Sequence, residues 1–171
     1  MNIILIGMRG SGKTTVGRML AERLGFAFAD TDEMVTARVG KSIQDIVAQE
    51  GWGRFRDLET EAVRKVAEQD KCVIACGGGV IVRDGNVKAL KRNGILVWLT
   101  APVGVLAERV RNDTGSVRPA LTEETDAERE IEKVFQEREP KYRTAAQLII
   151  STNDKTPTGI VDEIIWQIEK L

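Results

Sequence analysis

Residues Gly7-Met8-Arg9-Gly10-Ser11-Gly12-Lys13-Thr14 form a complete G-x-x-x-x-G-K-[ST] loop directly after the apolar run Ile3-Ile4-Leu5-Ile6. No other stretch constrains the fold as strongly, because such a loop works only when a strand and a helix hold its backbone N–H groups around an anion. Its glycines let the chain curl, the Lys13 ammonium supplies a point charge to β- and γ-phosphates, and the Thr14 hydroxyl suits a metal ion. The ligand implied is a nucleoside triphosphate with magnesium. After the loop, Val16, Met19, Leu20 and Leu24 recur at helical spacing and Gly25 closes the helix. Gly10, Ser11, Gly12, Lys13, Thr14 and Thr15 are therefore candidate nucleotide-binding residues, Lys13 with a catalytic role and Thr14 on the metal side.

The rest of the chain continues the alternation. Strands are predicted over Asn2–Ile6, Phe26–Ala29, Val73–Cys76, Ile95–Leu99 and Leu148–Ile150. Helices are predicted from Asp32 to Val39, from Ser42 to Gly51, from Trp52 to Gln69, from Asn86 to Arg92 and from Pro102 to near Arg111. An acidic helix follows, broken at Pro140, and a last helix runs from Thr158 to Lys170. Five apolar strands separated by helices imply an α/β fold of the P-loop NTPase type, with three α/β/α layers around a five-stranded parallel sheet. Ligands then bind at the carboxyl ends of the strands. Residues 112–122 are polar, contain Gly115 and Pro119, and are the one candidate lid. At 171 residues the chain is expected to be a single domain.

Composition narrows the chemistry. A formal net charge of −1 with 30% charged residues gives no global field that would recommend nucleic acid or a membrane as partner. No apolar stretch approaches a membrane span and no leader precedes the first strand, so a cytoplasmic protein is expected. Nothing in the pattern demands more than a monomer. Cys72 and Cys76 lie four apart on one strand face and read as buried free thiols. Histidine is absent, which leaves a carboxylate, a lysine, the single tyrosine or water for any proton transfer.

Several residues break the pattern in ways that point to function. Only one apolar strand, Phe26-Ala27-Phe28-Ala29-Asp30, ends in an acid, whereas those ending at Cys76 and Leu99 do not, which makes Asp30 the candidate metal-side carboxylate. Asp32, two residues on, points to the same side if the chain stays extended; the alternative is that Asp30-Thr31-Asp32 caps the next helix. Glu59 interrupts the apolar stripe Trp52, Phe55, Ala62 and Val66, and its i, i+3 spacing lets it direct Arg56. Arg138 interrupts the stripe Ile131, Val134, Phe135 and Tyr142. Two such arginines suggest a bidentate receptor for a carboxylate or phosphate. Gly77-Gly78-Gly79 at a strand end marks a close backbone approach or an anion-binding turn. Arg118-Pro119 offers a cation on a flexible arm.

In order and spacing, Gly7 to Thr14, Asp30-Thr31-Asp32, Phe55-Arg56-Asp57-Leu58-Glu59, Gly77-Gly78-Gly79, Arg118-Pro119 and Arg138 resemble the shikimate kinases over nearly the whole chain. The resemblance implies a nucleoside-monophosphate-kinase-like fold and transfer of the ATP γ-phosphoryl group to the 3-hydroxyl of shikimate, on the route to chorismate. It implies that Lys13 contacts the phosphates, that Thr14 binds Mg2+ with Asp30 helping through water, and that Asp32 orients or deprotonates the attacking hydroxyl. Arg56 and Arg138 would grip the carboxylate, with Glu59 positioning Arg56 and the Gly78-Gly79 backbone against the ring. Arg118 would be a catalytic lid arginine, and Arg109 with Pro157 resembles the pair that sandwiches adenine, Arg111 being the competing candidate. One departure is visible: Ala120, not leucine, follows Pro119.

Overall fold

The computed structural model describes residues 1–113, 119–123 and 126–171. Five parallel strands, β1 (Asn2–Ile6), β2 (Ala27–Asp30), β3 (Cys72–Ala75), β4 (Gly94–Thr100) and β5 (Leu148–Ser151), form one sheet in the order β2-β3-β1-β4-β5. Seven α-helices are described: α1 (Lys13–Leu24), α2 (Thr31–Val39), α3 (Ile43–Ala67), α4 (Asp84–Lys91), α5 (Val103–Asn112), α6 (Ala127–Ala145) and α7 (Pro157–Ile168). The all-parallel sheet with helices on both faces is the architecture that the alternation implied.

Period-two alternation divides the core between the faces. Ile3 and Leu5 of β1 pack with Val16 and Leu20 of α1 and Ile160 and Ile164 of α7 on one side. Ile4 and Ile6 pack on the other with Val63 and Val66 of α3, Leu106 of α5 and Val134 of α6. Cys72 and Cys76 are free, buried and part of that second face, as their spacing requires. A third cluster, built from Val35, Ile43, Ile46, Phe55 and Leu58, fastens α2 to α3 and so supports the segment that carries Asp32, Arg56 and Glu59.

Helix boundaries follow local chemistry. Ser42 caps α3 by accepting from the Asp45 N–H at 3.1 Å. Gly51 at φ 81° interrupts that helix, so the helical span is two helices in line, divided where the sequence predicts. Pro140 behaves differently from expectation: α6 runs through it unbroken from Ala127 to Ala145. Pro140 and Gln136, whose carbonyl loses its partner, are both exposed, so water can replace the missing bond on the solvent side. Smaller corrections are the strand of Asp30, which includes the aspartate itself, and a 3-10 turn at Val80–Val82 that the sequence does not announce. Among the described residues no helix is long and apolar enough to cross a membrane.

Gly94, at the start of β4, has no room for a side chain. A Cβ there would stand 2.1 Å from Ile4 Cδ1, in the fully buried core, and 3.1 Å from the Leu90 carbonyl. Gly94→Ala is expected to lower stability by about 1–3 kcal/mol through overpacking. Urea denaturation checks it; an unchanged midpoint would mean that Ile4 repacks freely.

Candidate active site

The carboxyl ends of β2, β3 and β1 lie side by side and carry, in that order, Asp30, the Gly77–Gly79 turn and the phosphate loop. Neighbouring strand ends of a parallel sheet open onto one crevice, which is why three stretches far apart in sequence share a site.

Gly12 at φ 91° precedes α1 and offers no side-chain cap, so the first N–H groups of the helix remain directed at the cleft. The Lys13 ammonium lies back over the loop, donating to the Gly7 and Met8 carbonyls at 2.8 and 2.9 Å. A cleft of about 770 Å³ opens here, lined by Gly10, Gly12, Lys13, Thr14, Thr15 and Arg109 among others. Ser11 is buried beneath the loop.

Asp30 caps the next helix and also reaches the phosphate loop. Its Oδ1 accepts from the Asp32 and Glu33 N–H groups at 2.9 and 3.1 Å and caps α2, while Oδ2 accepts from the Thr14 hydroxyl at 3.0 Å. Burial is the main force raising its carboxyl above the ordinary range, and the neighbouring Asp32 charge adds to it against the hydrogen bonds. A cation at Thr14 and Asp30 would therefore relieve an unfavourable charge.

Arg109 donates to the Gly10 carbonyl at 3.1 Å and to the hydroxyl and carbonyl of Thr152 at 2.9 and 3.1 Å. The buried Thr152, just past β5, thus fixes the arginine against the loop. Arg111 is exposed and does not line the cleft, so geometry favours Arg109. Pro157 stands at the exposed start of α7 and is not among the cleft-lining residues. Arg118 lies outside the described residues.

The second cleft, of about 380 Å³, is built around the glycine turn. Asp32, 9% exposed, and Glu59, 1% exposed, both press against Gly77: a Cβ there would stand 2.6 Å from Asp32 Oδ1 and 2.9 Å from Glu59 Oε2. Arg56 lies across Gly79, where a Cβ would fall 2.2–2.4 Å from the guanidinium. Arg138 Nη1 would be 3.4 Å from a Cβ on Gly78. Charged side chains resting on the turn thus leave no room for a Cβ at Gly77 or Gly79, while Gly78 has ordinary contact distance to Arg138.

Arg56 is held from three sides. Glu59 Oε1 accepts from it at 2.9 Å, and its guanidinium carbon lies 5.3 Å from the ring centres of Trp52 and of Phe55. Burial pushes the Glu59 carboxyl up by more than the Arg56 and Arg138 charges pull it down. The pair exists at a cost in desolvation, which argues for function over stability.

Four residues at the site carried no signal of their own in the sequence. Arg9 occupies a variable position of the loop yet lines both clefts. The Thr31 hydroxyl accepts from the Gly77 N–H at 3.0 Å and ties α2 to the turn. Thr152 looked like an ordinary strand-end residue, and Tyr142 like one more member of an apolar stripe. Pro119 and Leu121 line the second cleft, and the Leu121 N–H donates to Glu130 Oε1 at 2.6 Å.

Comparisons with known proteins agree with this geometry. The family model for shikimate kinase matches residues 9–169. The chain is 45% identical over 163 residues to the shikimate kinase of Nitratidesulfovibrio vulgaris, covering 95% of this chain and 92% of that one. It is 41% identical over 170 residues to that of Thermodesulfovibrio yellowstonii, covering 99% and 96% respectively. The structure of shikimate kinase from Acinetobacter baumannii in complex with shikimate superposes with a TM-score of 0.92 at 36% identity, covering 99% of this chain and 93% of that one. A match over almost the full length, in sequence and in fold alike, places the chain in the shikimate kinase family.

Proposed function

We propose that this protein transfers the γ-phosphoryl group of ATP to the 3-hydroxyl of shikimate, giving shikimate 3-phosphate and ADP. The observation that carries the reading is the shared wall between the clefts: Arg9, Asp32, Gly77 and Gly78 line both the phosphate-loop cleft and the smaller cleft beside it. Donor and acceptor bound on either side of that wall would meet at Asp32.

The acceptor cleft suits a small hydroxylated acid. Arg56 and Arg138 offer two guanidinium groups to one carboxylate, and the glycine backbone leaves room for a flat ring. Asp32 is placed to accept a hydrogen bond from the attacking hydroxyl and to orient it or take its proton. On the donor side, the N–H groups ahead of α1 and the Lys13 ammonium hold the phosphates, with Ser11 and Thr15 completing the loop. Arg109 marks the adenine side, and Arg118 is assigned to the lid. Phosphoryl transfer asks for alignment and charge neutralisation more than covalent help, which is how a site with no histidine suffices.

Magnesium fits the residues present. Thr14 and Asp30 put two hard oxygen donors together at the edge of the nucleotide cleft. Among the described residues no group of three or more His, Cys, Asp or Glu side chains could hold a metal alone, so the ion would arrive on the triphosphate and keep several waters. Bound there, it would neutralise charge on the β- and γ-phosphate oxygens. The same reading takes the enzyme to act as a monomer in the cytoplasm.

Coupled assays of ADP release with shikimate, quinate, gluconate and nucleoside monophosphates test the reading. Turnover is expected with shikimate; faster turnover with another acceptor, or none with shikimate, overturns it.

Asp32→Asn is expected to lower kcat by about two to four orders of magnitude if Asp32 takes the proton. Steady-state kinetics decide the matter, a loss under about tenfold reducing its role to orientation.

Glu59 makes a pH-dependent prediction. Its folded-state pKa lies above the ordinary 4.5, so protonation favours folding. That contribution is present below the unfolded-state value and is lost as pH rises through the folded one. Glu59→Gln is expected to remove this decline, leaving stability at neutral pH equal or higher, while the shikimate KM rises because Arg56 loses its anchor. Urea midpoints across pH, with KM measurements, check both; lower stability at neutral pH would show that the ion pair is net stabilising.

A further inference from the structure

Tyr142 is the one tyrosine in the chain, and it is fully buried. Its ring stacks on Trp98 of β4, with centroids 5.6 Å apart and planes 19° from parallel. Packing against the central sheet fixes where the phenol oxygen lies. That oxygen donates its hydrogen to the Gly78 carbonyl at 2.5 Å.

Tyr142 also follows Arg138 by four residues on α6, so the two side chains rise from one face, a turn apart. The Arg138 cation lies near enough to act on the phenol by its charge. The same guanidinium rests against Gly78. Tyrosine and arginine therefore converge on the same glycine from one face of α6.

We propose that Tyr142 is a positioning residue for the acceptor cleft, bracing the Gly78 carbonyl and the Arg138 guanidinium into one rigid receptor for the shikimate carboxylate. This rests on the assignment of Arg138 to that carboxylate.

A role in proton transfer is excluded on three counts. Tyr142 lines neither cleft. Its hydrogen is committed to a carbonyl. Burial pushes its pKa up to about 12 against the pull of Arg138, so it remains a phenol wherever the enzyme would work. Permanence is what a brace requires: a donor for the Gly78 carbonyl at every accessible pH.

Among hydrogen bonds this one is well suited to control geometry. The carbonyl belongs to the wall shared by both clefts, and no side chain on Gly78 could stiffen it. Without the phenol hydroxyl, the Gly78 carbonyl loses its donor at the point where the Arg138 guanidinium rests.

Tyr142→Phe tests the proposal, since it keeps the ring on Trp98 and removes only the oxygen. The shikimate KM is expected to rise about five- to twentyfold, with kcat and the ATP KM within about twofold, because ground-state and transition-state grip on the carboxylate weaken together. In an Arg138→Ala background the same change is expected to shift the shikimate KM by less than about twofold, since the brace has nothing left to hold. If Tyr142→Phe only lowers the melting temperature and leaves the shikimate KM unchanged, or multiplies KM equally in both backgrounds, the residue is structural and the proposal fails. Should Tyr142→Phe fold poorly, Arg138→Lys with the tyrosine intact gives the second arm. A KM rise is expected there, because an ammonium cannot give the carboxylate the guanidinium's two-pronged grip; an unchanged KM overturns the assignment of Arg138 to the carboxylate, and this inference with it. Absence of shikimate turnover in the unmodified protein would instead overturn the assigned reaction, and this inference with it.

Discussion

The Gly77–Gly79 turn is the constraint on which the rest of the site depends. It follows β3, the strand between β2 and β1, and so stands where the metal-side aspartate and the phosphate loop meet. Because the turn has no side chains, two carboxylates and two guanidinium groups can rest directly on its backbone. Opposite charges are thereby gathered within a few ångströms of one another. Any side chain at Gly77 or Gly79 would displace one member of the set.

That gathering opposes stability. Glu59 is almost wholly buried and its ionised form is disfavoured, and Asp30 is raised in the same way. What offsets these costs is spread over the molecule: two apolar faces of the sheet, and the separate cluster that fastens α2 to α3. The helices that carry the charges are held by residues far from the chemistry, so the charges can be arranged for a ligand.

Much of this was legible because it consisted of violations of a regular pattern. The phosphate loop announces itself by spacing. Glu59 and Arg138 stand out as charges in apolar stripes, and the triple glycine exceeds what a tight turn needs. Asp30 could be assigned because it ends a strand, although its double use as cap and Thr14 partner needed coordinates. Other features break no rule in one dimension. Thr152 holds Arg109 across a separation of 43 residues, and no local pattern reports such a bond. Tyr142 obeys the helical stripe, so its hydroxyl passes as an incidental part of a core aromatic. Pro140 misled for the opposite reason: the local rule is sound, but whether a missing hydrogen bond breaks a helix depends on which side faces water.

Sharing one wall between two clefts also explains why the chain can phosphorylate with so few titrating groups. A wall one turn thick keeps donor and acceptor sites adjacent, and Asp32, at the start of a helix capped by the metal-side aspartate, reaches both. The cap couples the two halves directly. Asp30 accepts from the Thr14 hydroxyl with one oxygen and from the Asp32 N–H with the other, so a single carboxylate joins the two clefts. The position of Asp32 is therefore tied to the residue that bonds Thr14 of the phosphate loop. That linkage needs no moving part beyond the two hydrogen bonds.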